Sequence, residues 1–186
     1  MTKDIAGVRE MAPSFSKFWL LWSAASLPAF MLGTWLSFLT INLFPNTLVR
    51  TALFALIGAA VGGLQALLLR RRVPELLWWV LVSAGGWALG FSFADRWGVY
   101  AGLAIGASLG LLQWMTLSMS LQRALWWFPA SLLGWGLGWF AAWQVDDSLS
   151  TFFYLLYLLI IALVPALIGG GVMAWLLQGE RKPEAQ

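Results

Sequence analysis

Two glutamines, three serines and three aromatics are the residues whose type and spacing could do chemistry inside otherwise apolar stretches. Gln65 and Gln113 lie 48 residues apart, as do Ser83 and Ser131, and Trp87 and Trp135; Ser26 and Phe30 form an earlier pair of the same kind. A glutamine amide carries both donors and an acceptor. It could bond a neighbouring helix, hold a lipid headgroup, or ligate a magnesium tetrapyrrole through its oxygen. Serines one turn from Phe30, Trp87 and Trp135 could line a groove for a flat lipophilic molecule such as a carotenoid or quinone. Packing accounts for the same residues. A serine in an apolar helix bonds its own i−4 carbonyl or an adjacent helix, and mid-span aromatics fill space between helices. A nucleophilic serine needs an activating base, and no His, Lys or acid accompanies these three.

Charged residues offer less. Arg70, Arg71 and Arg72 could bind anionic lipid or an acidic loop, at about 1 kcal/mol per charge near a membrane surface, or could simply fix topology. Asp146 and Asp147 are adjacent on a loop with no companion ligands, so no metal site is expected. The chain has no Cys and no His, which removes haem, zinc, iron–sulfur and disulfide chemistry and every Ser–His or Cys–His arrangement. No cofactor is expected unless a lipophilic pigment or quinone occupies the groove. An enzyme is not expected.

The elements that must position these residues follow from composition. Of 186 residues, 61% are hydrophobic and 10% charged, against about 25% charged in a soluble domain. Helices rising 1.5 Å per residue need about 20 apolar residues to cross a bilayer core. Charges delimit six such stretches, at about 18–44, 51–69, 76–94, 100–121, 124–143 and 152–177. The expectation is an all-α integral membrane protein with one six-helix domain over 18–177, flanked by cytoplasmic segments 1–17 and 178–186. The first apolar run lacks a small-residue cleavage site and reads as a retained span.

Nine of the eleven basic residues fall on the side of the N-terminus, the Arg70 cluster, Arg123 and the tail. The positive-inside rule then puts both termini in the cytoplasm. By this assignment no Asp, Glu, Lys or Arg lies within a span, which argues against ion-coupled transport, proton pumping and voltage sensing. The net charge of +3 reflects membrane anchoring. Nucleic acid is not an expected partner, since no water-exposed basic module exists.

The spans also repeat. Shifted by 48 residues, 57–90 matches 105–138 at 15 of 34 positions. Odd spans read Trp-x3-Ser-x3-aromatic-x2-Gly, and even spans read Gly-x3-Gly-x2-Gln-x3-Leu. The first span fits the odd pattern; the sixth keeps only Ala166, Leu167, Ile168, Gly169 and Val172 of the even one. Three like-oriented hairpins predict a pseudo-threefold arrangement about the membrane normal. Gly58, Gly62, Gly86, Gly90, Gly102, Gly106, Gly110, Gly134 and Gly138 recur on single stripes and are expected at close helix contacts. Trp19, Trp22, Trp78, Trp79, Trp126, Trp127 and Trp175 fall near one boundary, and Trp97, Trp139 and Trp143 near the other. These ten are expected to be interfacial anchors.

The motif Gly-x3-Gly-x-Leu-Gln followed by Trp-Trp-x3-Ser-x2-Gly-Trp-x-Leu-Gly, on Gly58–Gly90 and Gly106–Gly138, resembles an uncharacterised group of small multi-pass bacterial proteins that includes photosynthetic lineages. The group has no established activity, so the resemblance implies a fold and a bacterial inner or thylakoid-type membrane. The functional expectation is a non-enzymatic accessory or assembly subunit. It would pack against other membrane proteins or itself within the lipid bilayer. The alternatives are carriage of a carotenoid, quinone, tetrapyrrole or lipid, and a passive pore.

Overall fold

The structure is a computed structural model describing residues 14–70, 76–144 and 151–178. Its elements are helices: α1 (Phe15–Leu43), α2 (Thr47–Leu69), α3 (Leu76–Trp97), α4 (Ala101–Ser120), α5 (Trp127–Ala142) and α6 (Thr151–Leu176). Single 3-10 turns precede α4 (Gly98–Tyr100) and α5 (Ala124–Trp126). Each end lies within about four residues of the expected span, and the largest difference has a local cause. Asn46 caps α2, its side chain accepting from the amides of Leu48 (2.9 Å) and Val49 (3.2 Å), so the helix starts before Arg50 rather than after it. Before it, Pro45 keeps Phe44 extended (φ −119°, ψ 100°) and ends α1.

Among the described residues, five helical segments are long and apolar enough to cross a membrane. The chain is therefore an all-α, multi-pass membrane protein. The exception is α5, which has 16 residues, about 24 Å at 1.5 Å per residue.

Every helix packs on its chain neighbours, and α6 returns to α1, closing a ring. The glycines set the ring's tightness. A Cβ at Gly58 would lie 2.6 Å from Trp87 Cβ, and one at Gly62 2.5 Å from Ser83 Cβ, both on α3. Gly86 and Gly90 meet Leu109 and Ile105 on α4; Gly102, Gly106 and Gly110 meet Trp135, Ser131 and Phe128 on α5; Gly134 and Gly138 meet Pro165 and Ile161 on α6. In each pair the glycine stripe receives the next helix in the chain. Pro165 cannot donate to the Ile161 carbonyl one turn earlier, and Gly138 brings α5 against that carbonyl.

The ring's interior holds two apolar clusters. One gathers Trp22, Trp79, Trp127, Leu69, Leu117 and Met173 at one end. The other runs through Phe30, Phe54, Trp87, Phe91, Trp135 and Trp139. The outward faces carry Leu, Phe and Trp side chains instead, among them Leu56, Leu77, Trp78, Trp126 and Phe152. An apolar exterior suits a lipid solvent.

Candidate functional site

The site is the ring's axis, where the repeated residues converge. Trp22, Trp79 and Trp127 form a triangle, with ring centroids 6.3 Å (Trp22–Trp79), 6.1 Å (Trp22–Trp127) and 5.9 Å (Trp79–Trp127) apart. Farther along, Trp135 packs on Phe30 at 5.1 Å and on Trp87 at 5.8 Å. A third layer joins Trp139 to Phe91 (6.3 Å) and to Phe38 (5.9 Å). Tilted and edge-on geometries of this kind contribute about 0.5–1.5 kcal/mol per pair beyond burial.

This placement corrects the interfacial assignment for four tryptophans. Trp22, Trp79, Trp127 and Trp139 are all buried, whereas Trp78, Trp97, Trp126 and Trp143 are exposed. Helical phase explains the split. Trp79 shares a face with Ser83 and Trp87 because each is one turn from the next, while Trp78 sits 100° round and faces outward. The same holds for Trp127 against Trp126. The signal was present in the repeat, since Trp22, Trp79 and Trp127 occupy the same position in each odd span.

The polar side chains link neighbouring helices. Gln65 on α2 donates to Ser26 on α1 at 3.3 Å, and Gln113 on α4 donates to Ser83 on α3 at 2.9 Å. Trp127 on α5 donates its indole N–H to Gln113 Oε1 at 3.0 Å. Gln113 thus ties three helices together. All four amide and hydroxyl side chains are buried, where a hydrogen bond is needed to offset desolvation. Trp79 Nε1 and Thr34 Oγ1 are fully sealed atoms with no partner among the described residues.

The ring closes differently. Trp19 donates to the Leu167 carbonyl at 3.0 Å and Ser23 to the Ala166 carbonyl at 3.2 Å. Trp19 is among the expected interfacial anchors, but neither side chain repeats, so nothing in the sequence pairs them with α6. At the far end, Trp139 donates to the Gly98 carbonyl at 3.1 Å. Gly98 has φ +50°, a conformation glycine adopts without penalty, and this turn aims the carbonyl at α5.

No family model, curated protein or solved structure matches the chain.

Of the expected groove, Phe30, Gln65, Trp87, Gln113, Ser131 and Trp135 do come together. They surround, with Trp22 and Trp127, a cavity of about 20 Å³. That volume suits a water molecule and leaves no room for a carotenoid, quinone or tetrapyrrole. Ser26 and Ser83 are held by the glutamines beside it. Among the described residues no group of three or more metal-ligating His, Cys, Asp or Glu occurs.

The basic cluster is only partly described: Arg70 is exposed at the end of α2, while Arg71 and Arg72 lie outside the described residues, as do Asp146 and Asp147. Near that end Arg123 stacks over Trp175, 5.2 Å from its ring centroid. This contact holds the α4–α5 turn against α6.

Proposed function

We propose that the chain is a sealed, non-enzymatic membrane subunit that acts through its outer surface, as an accessory or assembly partner of other membrane proteins or of itself. The observation carrying this reading is the axis. Three aromatic layers fill it, the polar groups there are engaged mainly with each other, and the cavity described between the layers is about 20 Å³. An interior without room for substrate or solute leaves the lateral apolar surface as the working part. The glycine stripes are occupied by helices of the same chain. Gly63 differs: among the described glycines, it alone would place a Cβ with nothing within 4 Å.

This reading takes all six helices as spans in three like-oriented hairpins about a pseudo-threefold axis. The closed ring and the Trp22, Trp79 and Trp127 triangle support it. For α5, the preceding 3-10 turn adds three residues, about 6 Å at 2 Å per residue, bringing the segment to about 30 Å. Basic-residue asymmetry favours cytoplasmic termini in a bacterial inner or thylakoid-type membrane. Purification in mild detergent tests the function directly. A stoichiometric partner or a defined oligomer supports the reading, and a clean monomer with neither overturns it.

One observation favours a second reading, carriage of a lipophilic molecule. An apolar groove of about 240 Å³ lies on the outer face between α4 and α5, lined by Tyr100, Leu103, Leu133, Gly136, Leu137 and Phe140. A bound chain or ring there would persist through purification and be lost on Gly136→Phe. Preparations free of any such molecule would argue against carriage.

A further inference from the structure

The polar links on the axis follow a rule of connection. In the complete arm, Trp127 on α5 donates to Gln113 on α4, and Gln113 donates to Ser83 on α3. The glutamine on an even helix thus stands between a tryptophan of the next helix and a serine of the previous one. The α2 arm has the same residues, Trp79, Gln65 and Ser26, with the Gln65–Ser26 bond formed and the Trp79 indole N–H without an acceptor among the described residues. Carried round the ring, the third arm runs from Trp22 on α1, through α6, to Ser131 on α5. No glutamine is available on α6, and Gln178 lies two residues past its end.

The two ends of that third arm are buried, Trp22 at 1% exposure and Ser131 at 8%. Neither makes a side-chain hydrogen bond to another described residue. Both line the axial cavity, together with Gly169 of α6 and with Gln65. Gln65 has committed its Nε2 to Ser26, which leaves its oxygen as an acceptor.

We propose that this cavity is a binding site for one ordered water molecule, which takes the place of the glutamine that α6 lacks. A water, like an amide, can accept from the Trp22 indole N–H while donating to Ser131 Oγ and to Gln65 Oε1. A buried water needs roughly 10–15 Å³ and two to four polar partners; the cavity offers about 20 Å³ and three. The loss of the third glutamine is thereby compensated by solvent instead of by a tighter apolar contact. The inference rests on the three-arm reading given above, and the test separates the two.

The variant that empties the site is Gly169→Ala. Its Cβ would sit 3.5 Å from the nearest Trp127 atom and 3.8 Å from Trp22 Nε1, so it fits without a clash and takes the space beside the indole N–H. A structure at a resolution that shows ordered water should place density about 3 Å from both Trp22 Nε1 and Ser131 Oγ. The density should be missing in Gly169→Ala. In solution, the Trp22 indole proton, assigned through Trp22→Phe, should show a cross-peak at the water frequency in the unaltered protein, and the Trp127 proton should not. This comparison stands even if Gly169→Ala fails to fold. An axial cavity without density, or a Trp22 indole bonded directly to protein, overturns the water site while leaving the three arms intact. A structure in which Trp22, Trp79 and Trp127 do not meet overturns the three-arm reading itself.

Discussion

Trp127 gives its indole hydrogen to Gln113 at 3.0 Å, whereas Trp79, its counterpart 48 residues earlier, is fully buried with no acceptor among the described residues. The two glutamines therefore carry different loads. Gln113 joins α3, α4 and α5; Gln65 joins α1 and α2.

Gln113→Leu should consequently be the more damaging change. It strands the Trp127 donor and the Ser83 hydroxyl together, and each orphaned buried group costs about 1–3 kcal/mol. Gln65→Leu strands the Ser26 hydroxyl and takes one acceptor from the proposed axial water, which keeps its other two partners, so it should cost less. Reversible unfolding in micelles measures both. Equal losses, or a larger loss at Gln65, would contradict the asymmetry.

Gly62 and Gly63 are adjacent and should respond in opposite ways. A Cβ at Gly62 meets Ser83 Cβ at 2.5 Å, while one at Gly63 meets nothing within 4 Å. Overpacking of this kind costs about 1–3 kcal/mol, so Gly62→Ala should lower Tm. Gly63→Ala should leave it unchanged or raise it, because alanine favours a helix by about 1 kcal/mol over glycine. Thermal melts of the two variants decide the matter, and parallel effects would refute the assigned faces.

A filled axis should not conduct. Proteoliposomes carrying the protein should retain small ions and neutral solutes as well as protein-free vesicles do. Flux in the unaltered protein would contradict the layers of Trp22, Trp79, Trp127 and Trp87, Trp135, Phe30. Normal retention after Trp22→Ala, with the fold intact, would show that the remaining layers suffice.

Topology can be read with single cysteines, since the native chain has none. With six spans, a Cys at Thr2 and one at Gln186 should both react only after a bacterial cell is permeabilised, and one at Ser148 should react before. Opposite labelling of Thr2 and Gln186 would mean that one helix, α5 being the shortest, does not cross.

Much of the ring was legible in the sequence because its signals are local. Charges bracket each apolar stretch, and the glycine stripes mark the close contacts; Gly58, Gly62, Gly106 and Gly110 all sit under the next helix. The polar links were partly legible too, since Gln65 and Gln113 recur in register with serines. What escaped was which helix each partner belongs to. The ring's order places Ser26 beside Gln65, and no single helix encodes that. Trp22, Trp79 and Trp127 were misassigned for a related reason. Near a membrane boundary an indole suits either the interface or a core, and only the neighbouring helices decide. The closure by Trp19 and Ser23 onto α6 carbonyls leaves no side-chain signature on α6 at all.

The central claim is that a sealed subunit works through its outer surface. Native mass spectrometry of the protein released from its own membrane tests it most directly, because one spectrum reports partner, copy number and any bound small molecule. A discrete assembly, with itself or with another membrane protein at fixed stoichiometry, is the predicted result. A bare monomer at the mass of the chain, from membranes where it is abundant and under conditions that preserve known complexes, would contradict it.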